Sequence, residues 1–316
     1  MATTAPKPIV VGVNGLENAL DAVAYAACEA DIRAVPLRIV HAFVWPLLKV
    51  PPVLWQMGPE GGLQSHVEQI LATAEKTAHA AAPGVQVTTA VSTDFPLPLL
   101  VQESRNATFV VVGSPGLGAL ADAITGSDSV QLIARSHAPV MIVPATPPPD
   151  RTSDLVVVGV DESACAAAAV AVAMEEAALR HGRLLAVHVD PTRRRLSSRF
   201  GRVPGQGGLR ILDRTLPELR RTYPDVPIEE RIIFGHPGGA LVDLSSRAAV
   251  VVVGSRGRGG FAGMMLGSVS QALLHHADSP VIVVPAQRGQ PTEASEPAHA
   301  SESTPPRPAG EEGGSA

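Results

Sequence analysis

The sequence predicts an α/β fold built twice in tandem, and three observations predict it. Short β-branched runs alternate with longer helix-compatible segments, the pattern of a doubly wound parallel sheet covered by helices on both faces. The chain also repeats itself: FVVVGSPGLGALADAITGSDSV (109–130) lies over VVVVGSRGRGGFAGMMLGSVSQ (250–271). Gly113, Gly116, Gly126, Ser127 and Pro144 recur 141 positions later as Gly254, Gly257, Gly267, Ser268 and Pro285. Finally, IVVGVNG (9–15) matches VVVGVDE (156–162) at an offset of 147, so the copies differ by a small length change between these points.

The second copy gives the elements in order. LVVVGV (155–160) is the first strand, and the Ala-rich stretch at 163–181 is a core-packing helix. Strands follow at 183–189, 228–234, 249–254 and 280–284, separated by helices at 209–223, 238–247 and 267–278. Pro147, Pro148 and Pro149 continue neither strand nor helix and mark a linker. The expected division is a first domain over 1–146, a linker over 147–153, a second domain over 154–286 and a tail over 287–316. The tail is rich in Pro, Glu, Ser, Ala and Gly and lacks aromatic residues, so disorder is expected there.

Composition narrows the functional classes. At 316 residues, 45% hydrophobic and 17% charged, the chain has room for two ordinary cores. A net charge of −5 gives no general attraction to nucleic acid or an anionic membrane, and neither is expected as a partner. Cys28 and Cys165 are the two cysteines, far apart in sequence, which excludes a disulfide framework and a cysteine zinc site. The apolar run before Asn14 is too short for a signal peptide, and the longest one, 164–174, is too short to span a bilayer. A cytoplasmic location is the expectation.

The glycine-rich stretch 254–270 begins where a buried strand ends and closes where a helix pattern starts. In doubly wound sheets, ligands bind beyond the carboxyl ends of the strands where the strand order reverses. A helix start offers unpaired amides to an anion, and glycine lets a phosphate approach the backbone. Ser268 and Ser270 add hydroxyls in the first turn. The same glycines would also serve a tight turn, and Ser268 a helix cap.

The spacing Gly, two residues, Gly, nine residues, Gly-Ser resembles the ATP-binding signature of the universal stress proteins. VVVGVDES, GHPGGALVDLS and HHADSPVIVVP are similar to the same family, and the resemblance covers about 5–145 and 153–286. It implies two Rossmann-like, adenine nucleotide alpha hydrolase-like sheets of five parallel strands in the order 3-2-1-4-5. It also implies that strand five of each half pairs with its counterpart across a pseudo-twofold axis, as a homodimer or an intramolecular pseudo-dimer. The implied ligand is ATP, with Mg2+ carried through its phosphates. The implied site in the second copy is Asp161 and Val189 at the adenosine end, with Gly254, Gly257, Gly267, Ser268, Val269 and Ser270 around the phosphates. Its counterpart in the first is Asn14, Ala42, Gly113, Gly116, Gly126, Ser127 and Ser129.

The copies depart from each other in charge. Residues 113–129 carry Asp122 and Asp128 and no cation, whereas 254–270 carries Arg256 and Arg258 and no acid, so the second site is expected to bind phosphate better. Leu16 replaces the small polar Ser163, and Asn14 replaces Asp161.

Other chemistries find little support. No Gly-Lys-Ser or Gly-Lys-Thr occurs for a P-loop, and no Gly-x-Ser-x-Gly for a nucleophile elbow. Gly257, Gly259 and Ala262 satisfy a dinucleotide fingerprint, but no acidic residue closes the following strand. The adjacent His275 and His276 diverge on a helix, and His41 and His188 read as structural histidines within strands. The arginines of 193–202 read as a solvated loop. The sequence presents no positioned base or lysine for phosphoryl transfer. The expectation is therefore an ATP-dependent regulatory module in stress response, acting on a protein partner of unspecified identity, with slow ATP hydrolysis as the alternative.

Overall fold

The computed structural model describes residues 6–43, 62–114, 126–145, 153–190, 206–257 and 265–286. The expected linker, the tail and the arginine-rich loop lie outside the described residues, wholly or nearly so.

Each half runs β-α-β-α-β-α-β-α-β. In the first, β1 (Ile9–Val13), β2 (Leu37–Ala42), β3 (Val87–Ser92), β4 (Phe109–Gly113) and β5 (Val140–Val143) alternate, among the described residues, with four α-helices. These are α1 (Glu17–Ile32), α2 (Gly62–Ala81), α3 (Pro96–Glu103) and α4 (Gly126–Arg135). The second half repeats them as β6 (Leu155–Gly159), α5 (Ala164–Leu179), β7 (Arg183–Asp190), α6 (Gln206–Thr222) and β8 (Ile228–Phe234). It closes with α7 (Pro237–Ser245), β9 (Val250–Gly254), α8 (Ser268–His276) and β10 (Val281–Val284). The strands and helices expected from sequence are all present, with ends shifted by at most three residues.

The strands form one sheet in the order β3-β2-β1-β4-β5-β10-β9-β6-β7-β8. Within each half all pairs are parallel, in the order 3-2-1-4-5 implied by the family. At the junction β5 and β10 are antiparallel, and Met141 pairs with its own repeat counterpart Ile282. The pseudo-dyad relating the halves therefore passes between these two residues.

The central strands IVV, VVV and VVVV are buried on both sides, as a parallel sheet between two helical layers requires. On one face α1 and α5 press alanines onto the sheet, including Ala22, Ala26, Ala169 and Ala173, so the helix axes lie close to it. On the other face Leu100, Leu132, Ile133, Leu241, Leu244 and Leu273 fill the layer under α3, α4, α7 and α8. Both layers run across the junction without a break.

α1 and α5 end alike. Arg33 and Arg180 are the C-caps, followed by Ala34 and His181 in the left-handed region at φ 52° and 50°. Val35 N–H donates to Ala30 O and Gly182 N–H to Ala177 O, which closes the last turn in a Schellman motif. These ends meet at the pseudo-dyad. Arg33 donates to Glu29 on its own helix at 2.9 Å and to Glu176 across the dyad, and Arg180 donates to Glu176 and, at 2.5 Å, to Glu29. Glu29 and Glu176 are 2% and 0% exposed, so these carboxylates depend on the arginines. Arg33 also reaches the half-exposed Glu175 at 2.6 Å and lies 4.7 Å over the Phe109 ring.

Candidate functional site

In the second half the strand order reverses between β6 and β9, the position beyond whose carboxyl ends doubly wound sheets bind their ligands. Asp161 follows β6 by two residues, and Ser163 beside it is the N-cap of α5. The Asp161 Oδ1 accepts from Ser163 N–H at 2.9 Å and from the Ser163 hydroxyl at 2.5 Å. The same hydroxyl accepts from Ala166 N–H and lies 3.3 Å from the Arg256 carbonyl oxygen in the glycine loop. One side chain thus ties the turn after β6, the start of α5 and the turn after β9.

The three signature glycines of this half differ in why they lack a side chain. A β-carbon on Gly254 would stand 2.6 Å from Cys165 Cβ and 3.1 Å from its carbonyl carbon, so α5 itself demands glycine. On Gly257 it would stand 2.7 Å from Asp161 Oδ2. On Gly267 the nearest described atoms would be Gly257 N and Ser255 O, both at 3.6 Å, an ordinary contact. With φ −72°, Gly267 has no backbone reason to be glycine either.

Gly267 is the N-cap of α8 and supplies no side-chain cap. Amides at a helix start have no acceptor within the helix, so those of Ser268, Val269 and Ser270 stand at the carboxyl-end side of the sheet with the positive pole of the dipole. Ser268 is exposed, and Val269 packs half-buried on the core. Ser270 is buried, and its hydroxyl donates to Gly254 O at 2.9 Å, so it braces the loop. Ser255 does the same: its hydroxyl accepts from Ala286 N–H at 3.0 Å, and its carbonyl accepts from Gly267 N–H at 2.9 Å. Val189 is buried in β7 opposite Ile233. The neighbouring His188 ring holds Val160 O at 2.8 Å through Nδ1, as His41 holds Val13 O.

The first half builds the equivalent position differently. Asn14 Oδ1 accepts from Leu16 N–H at 3.1 Å, and Leu16, at the cap of α1, has no hydroxyl to bridge to the loop after β4. That bridge comes instead from Asn18, whose Nδ2 donates to Ser114 O at 2.9 Å. Gly113 is packed tightly, since a β-carbon there would stand 2.7 Å from Asn18 O. Ala42 ends β2 beside Ser92. Gly126, Ser127 and Ser129 lie in the first turn of α4, whereas Gly116 lies outside the described residues. The Ser129 hydroxyl is buried with no hydrogen-bond partner among the described residues, although its counterpart Ser270 has one. A cleft between the Gly15–Leu16 turn and His66, Gln69 and Ile70 of α2 adjoins Asn14.

The structure thus brings Asp161, Gly254, Gly257, Gly267 and the start of α8 together at the carboxyl ends of β6 and β9. Sequence reasoning named Ser163 only as a small polar position and passed over Asn18 and Ser255. The cap position of Ser163 was readable from its place just before the alanine run.

These features suit an anion at a helix start with an acidic side chain nearby, and comparison with known proteins identifies the setting. The model of the universal stress protein family matches residues 6–144 and again 153–285. The chain belongs to the universal stress protein family. Among curated relatives, the universal stress protein Rv2005c of Mycobacterium tuberculosis is 37% identical over 290 residues, spanning 87% of this chain and 96% of the relative. A second family member from the same organism, Rv1996, is 35% identical over 306 residues, spanning 87% and 94%. A universal stress protein structure from Archaeoglobus fulgidus aligns over 89% of this chain and 97% of its own length, with a TM-score of 0.65 at 20% identity. That likeness extends to the fold of the whole tandem arrangement. Among the described residues no helix is long and apolar enough to cross a membrane.

Proposed function

We propose that this family member is an ATP-binding regulatory module of the stress response, working in the cytoplasm as an intramolecular pseudo-dimer whose nucleotide occupancy is read by a protein partner. The observation that carries the reading is Gly267. Neither its φ of −72° nor any described neighbour within 3.6 Å requires glycine, yet a side chain there would fill the space before the amides of α8. A phosphate is the ligand that gains most from that space, since it meets amide donors and a positive dipole end together. Gly267 and the amides of Ser268, Val269 and Ser270 would hold the phosphates, Mg2+ would enter through them, and Gly257, which stands against the Asp161 carboxylate, would line the adenosine side. Asp161 would face the adenosine end, because a carboxylate beside the polyphosphate would repel it.

The second half is the stronger site in this reading. The first carries Asp128 in the opening turn of α4, where Val269 stands in the second.

Calorimetry with ATP and Mg2+ tests the reading. The parent should bind at the second half, and Gly267→Ala should weaken that binding at least tenfold without unfolding the chain. Asp161→Ala should weaken ATP by roughly one to three kcal/mol, the range for a hydrogen bond to a charged group, and leave inorganic triphosphate nearly unaffected. Equal affinity of the Gly267→Ala variant and the parent removes the phosphate assignment.

A further inference from the structure

We propose that the outer edge of β3 is a self-association surface, on which a second copy of this chain lays its own β3 antiparallel about a twofold axis through Thr89, so that the sheet runs on from one molecule into the next. The inference is independent of the nucleotide reading.

β3 and β8 end the ten-stranded sheet, so among the described residues each has a strand on one side only. Leu37 N–H donates to Gln86 O at 2.8 Å, and Phe43 N–H donates to Ser92 O at 2.7 Å. The register between them, Leu37↔Val87 through Ala42↔Ser92, is unbroken, so the even-numbered residues of β3 turn their backbone groups toward β2. Alternate residues of a strand bond to opposite sides, and the N–H and C=O groups of Val87, Thr89 and Val91 therefore turn outward.

These outward residues are self-complementary. With the axis through Thr89, that residue meets its counterpart in the second copy, and Val87 meets Val91. Every outward N–H then finds an outward C=O, in the hydrogen-bonded pairs of an antiparallel ladder. Thr88 falls opposite Ala90 in the closer, non-hydrogen-bonded pair, where a methyl side chain leaves room. No residue from Ala80 to Thr93 is charged, so no like charges meet across the axis. Val87 packs on the α1 side of the core, whereas Val91 is 50% exposed. Pairing gives each exposed Val91 a β-branched neighbour.

β8 is the opposite case. Leu184 N–H donates to Pro227 O and Gly235 N–H to Asp190 O, so Ile228, Glu230, Ile232 and Phe234 face outward there. Glu229, Glu230 and Arg231 occupy its middle, with ion pairs from Arg231 to Glu229 and from Arg220 to Glu230. Charged side chains on an edge strand discourage pairing, and β3 has none. An open chain of β3-to-β8 contacts would desolvate those charges, whereas β3 against β3 closes after one contact. The fold already extends its sheet in this manner, since β5 and β10 meet antiparallel with Val140 opposite Val283 and Met141 opposite Ile282.

One strand pair is a small contact, so the dimer is weak and depends on concentration. Sedimentation velocity of the full chain from about 10 µM to about 1 mM reads it. The mean mass should rise toward that of a dimer and no further. Thr89→Pro removes an amide that faces outward in the single chain, so the dimer should be lost while the melting temperature stays within a degree or two of the parent. Thr89→Lys sets two cations against each other on the axis and should weaken the dimer severalfold, less so in high salt. Glu230→Pro, the same backbone change on the other edge, should leave the dimer intact.

A chain that stays monomeric throughout overturns the proposal, as does a dimer that survives Thr89→Pro or is lost equally in Glu230→Pro. Mass that climbs past the dimer overturns it too, because that marks open assembly. Should Thr89→Pro fail to fold, Thr89→Lys decides: a dimer unaffected by it at low salt does not pair at β3.

Discussion

Arg33, the C-cap of α1, donates to Glu176 of α5 on the other side of the pseudo-dyad, and Arg180 returns the bond to Glu29. Glu29 and Glu176 occupy one repeat position, and Arg33 and Arg180 another, each 147 residues apart. Two carboxylates and two arginines balance in charge, but both helices direct their negative poles at the same spot. Burial raises the Glu176 carboxyl to about 7, and the neighbouring Glu29 charge adds to the rise. Burial opposes ionisation of Glu29 too, yet Arg180 and Arg33 outweigh it and hold that carboxyl below its ordinary value.

Stability should therefore depend on pH between about 4.5 and 7. There the folded chain keeps a proton on Glu176 that the unfolded chain releases, so stability falls as pH rises, by roughly 1.4 kcal/mol per unit at most. The Glu176 contribution is fully present below about 4.5 and lost above about 7, on the order of 3 kcal/mol in all. Glu29 acts with the opposite sign and below 4.5, where acid removes its contribution. Urea unfolding of the parent and Glu176→Gln across pH 4 to 9 checks this. Glutamine mimics the protonated carboxyl, so the parent should lose ground to the variant steadily from pH 5 to 7 and then hold a constant deficit.

Removing one arginine should be worse than removing a whole pair. Arg180→Met leaves Glu29 and Glu176 to share Arg33 in a dry setting, and a loss of about 3–5 kcal/mol is expected. Changing Arg180 and Glu29 together to apolar residues should recover much of it. Denaturant midpoints at constant slope report both.

Gly254→Ala and Gly267→Ala should separate folding from binding. The first sets a methyl against Cys165 and its backbone, 2.6 Å and 3.1 Å away, so α5 must move at a loss of about 1–3 kcal/mol. The second meets nothing closer than 3.6 Å among the described residues, and its melting temperature should stay within a degree or two of the parent. A melt of each, paired with ATP calorimetry, should show stability lost in one and affinity in the other.

Asp128→Val copies Val269 into the first half. At about 6 Å and an effective dielectric near 20, one carboxylate and one phosphate charge repel by roughly 3 kcal/mol, which solvent screening cuts to about 1. In a Gly267→Ala background the substitution should strengthen ATP binding severalfold. Calorimetry showing no gain, together with a gain from Asn14→Asp, would place the limit at the base instead.

The sheet was legible because valine runs flanked by glycine leave few alternatives, and the duplication let each half check the other. The glycines were legible as a group but not by role. Gly254 answers to Cys165, a helix residue 89 positions earlier, and no spacing rule carries that contact. The quartet was invisible for a similar reason. Glu29 and Arg33 look like an ordinary surface pair four apart on a helix until β5 and β10 bring their counterparts against them.

The antiparallel junction of β5 with β10 turns the second half upside down relative to the first. The carboxyl ends of β1 and β4 point to one rim of the sheet, and those of β6 and β9 to the other. Strands of five residues hold the rims on the order of 15 Å apart before loops are added. A macromolecule docked over one rim therefore leaves the opposite one uncovered. The two loop clusters therefore open on opposite rims of one sheet, an arrangement set by strand direction alone.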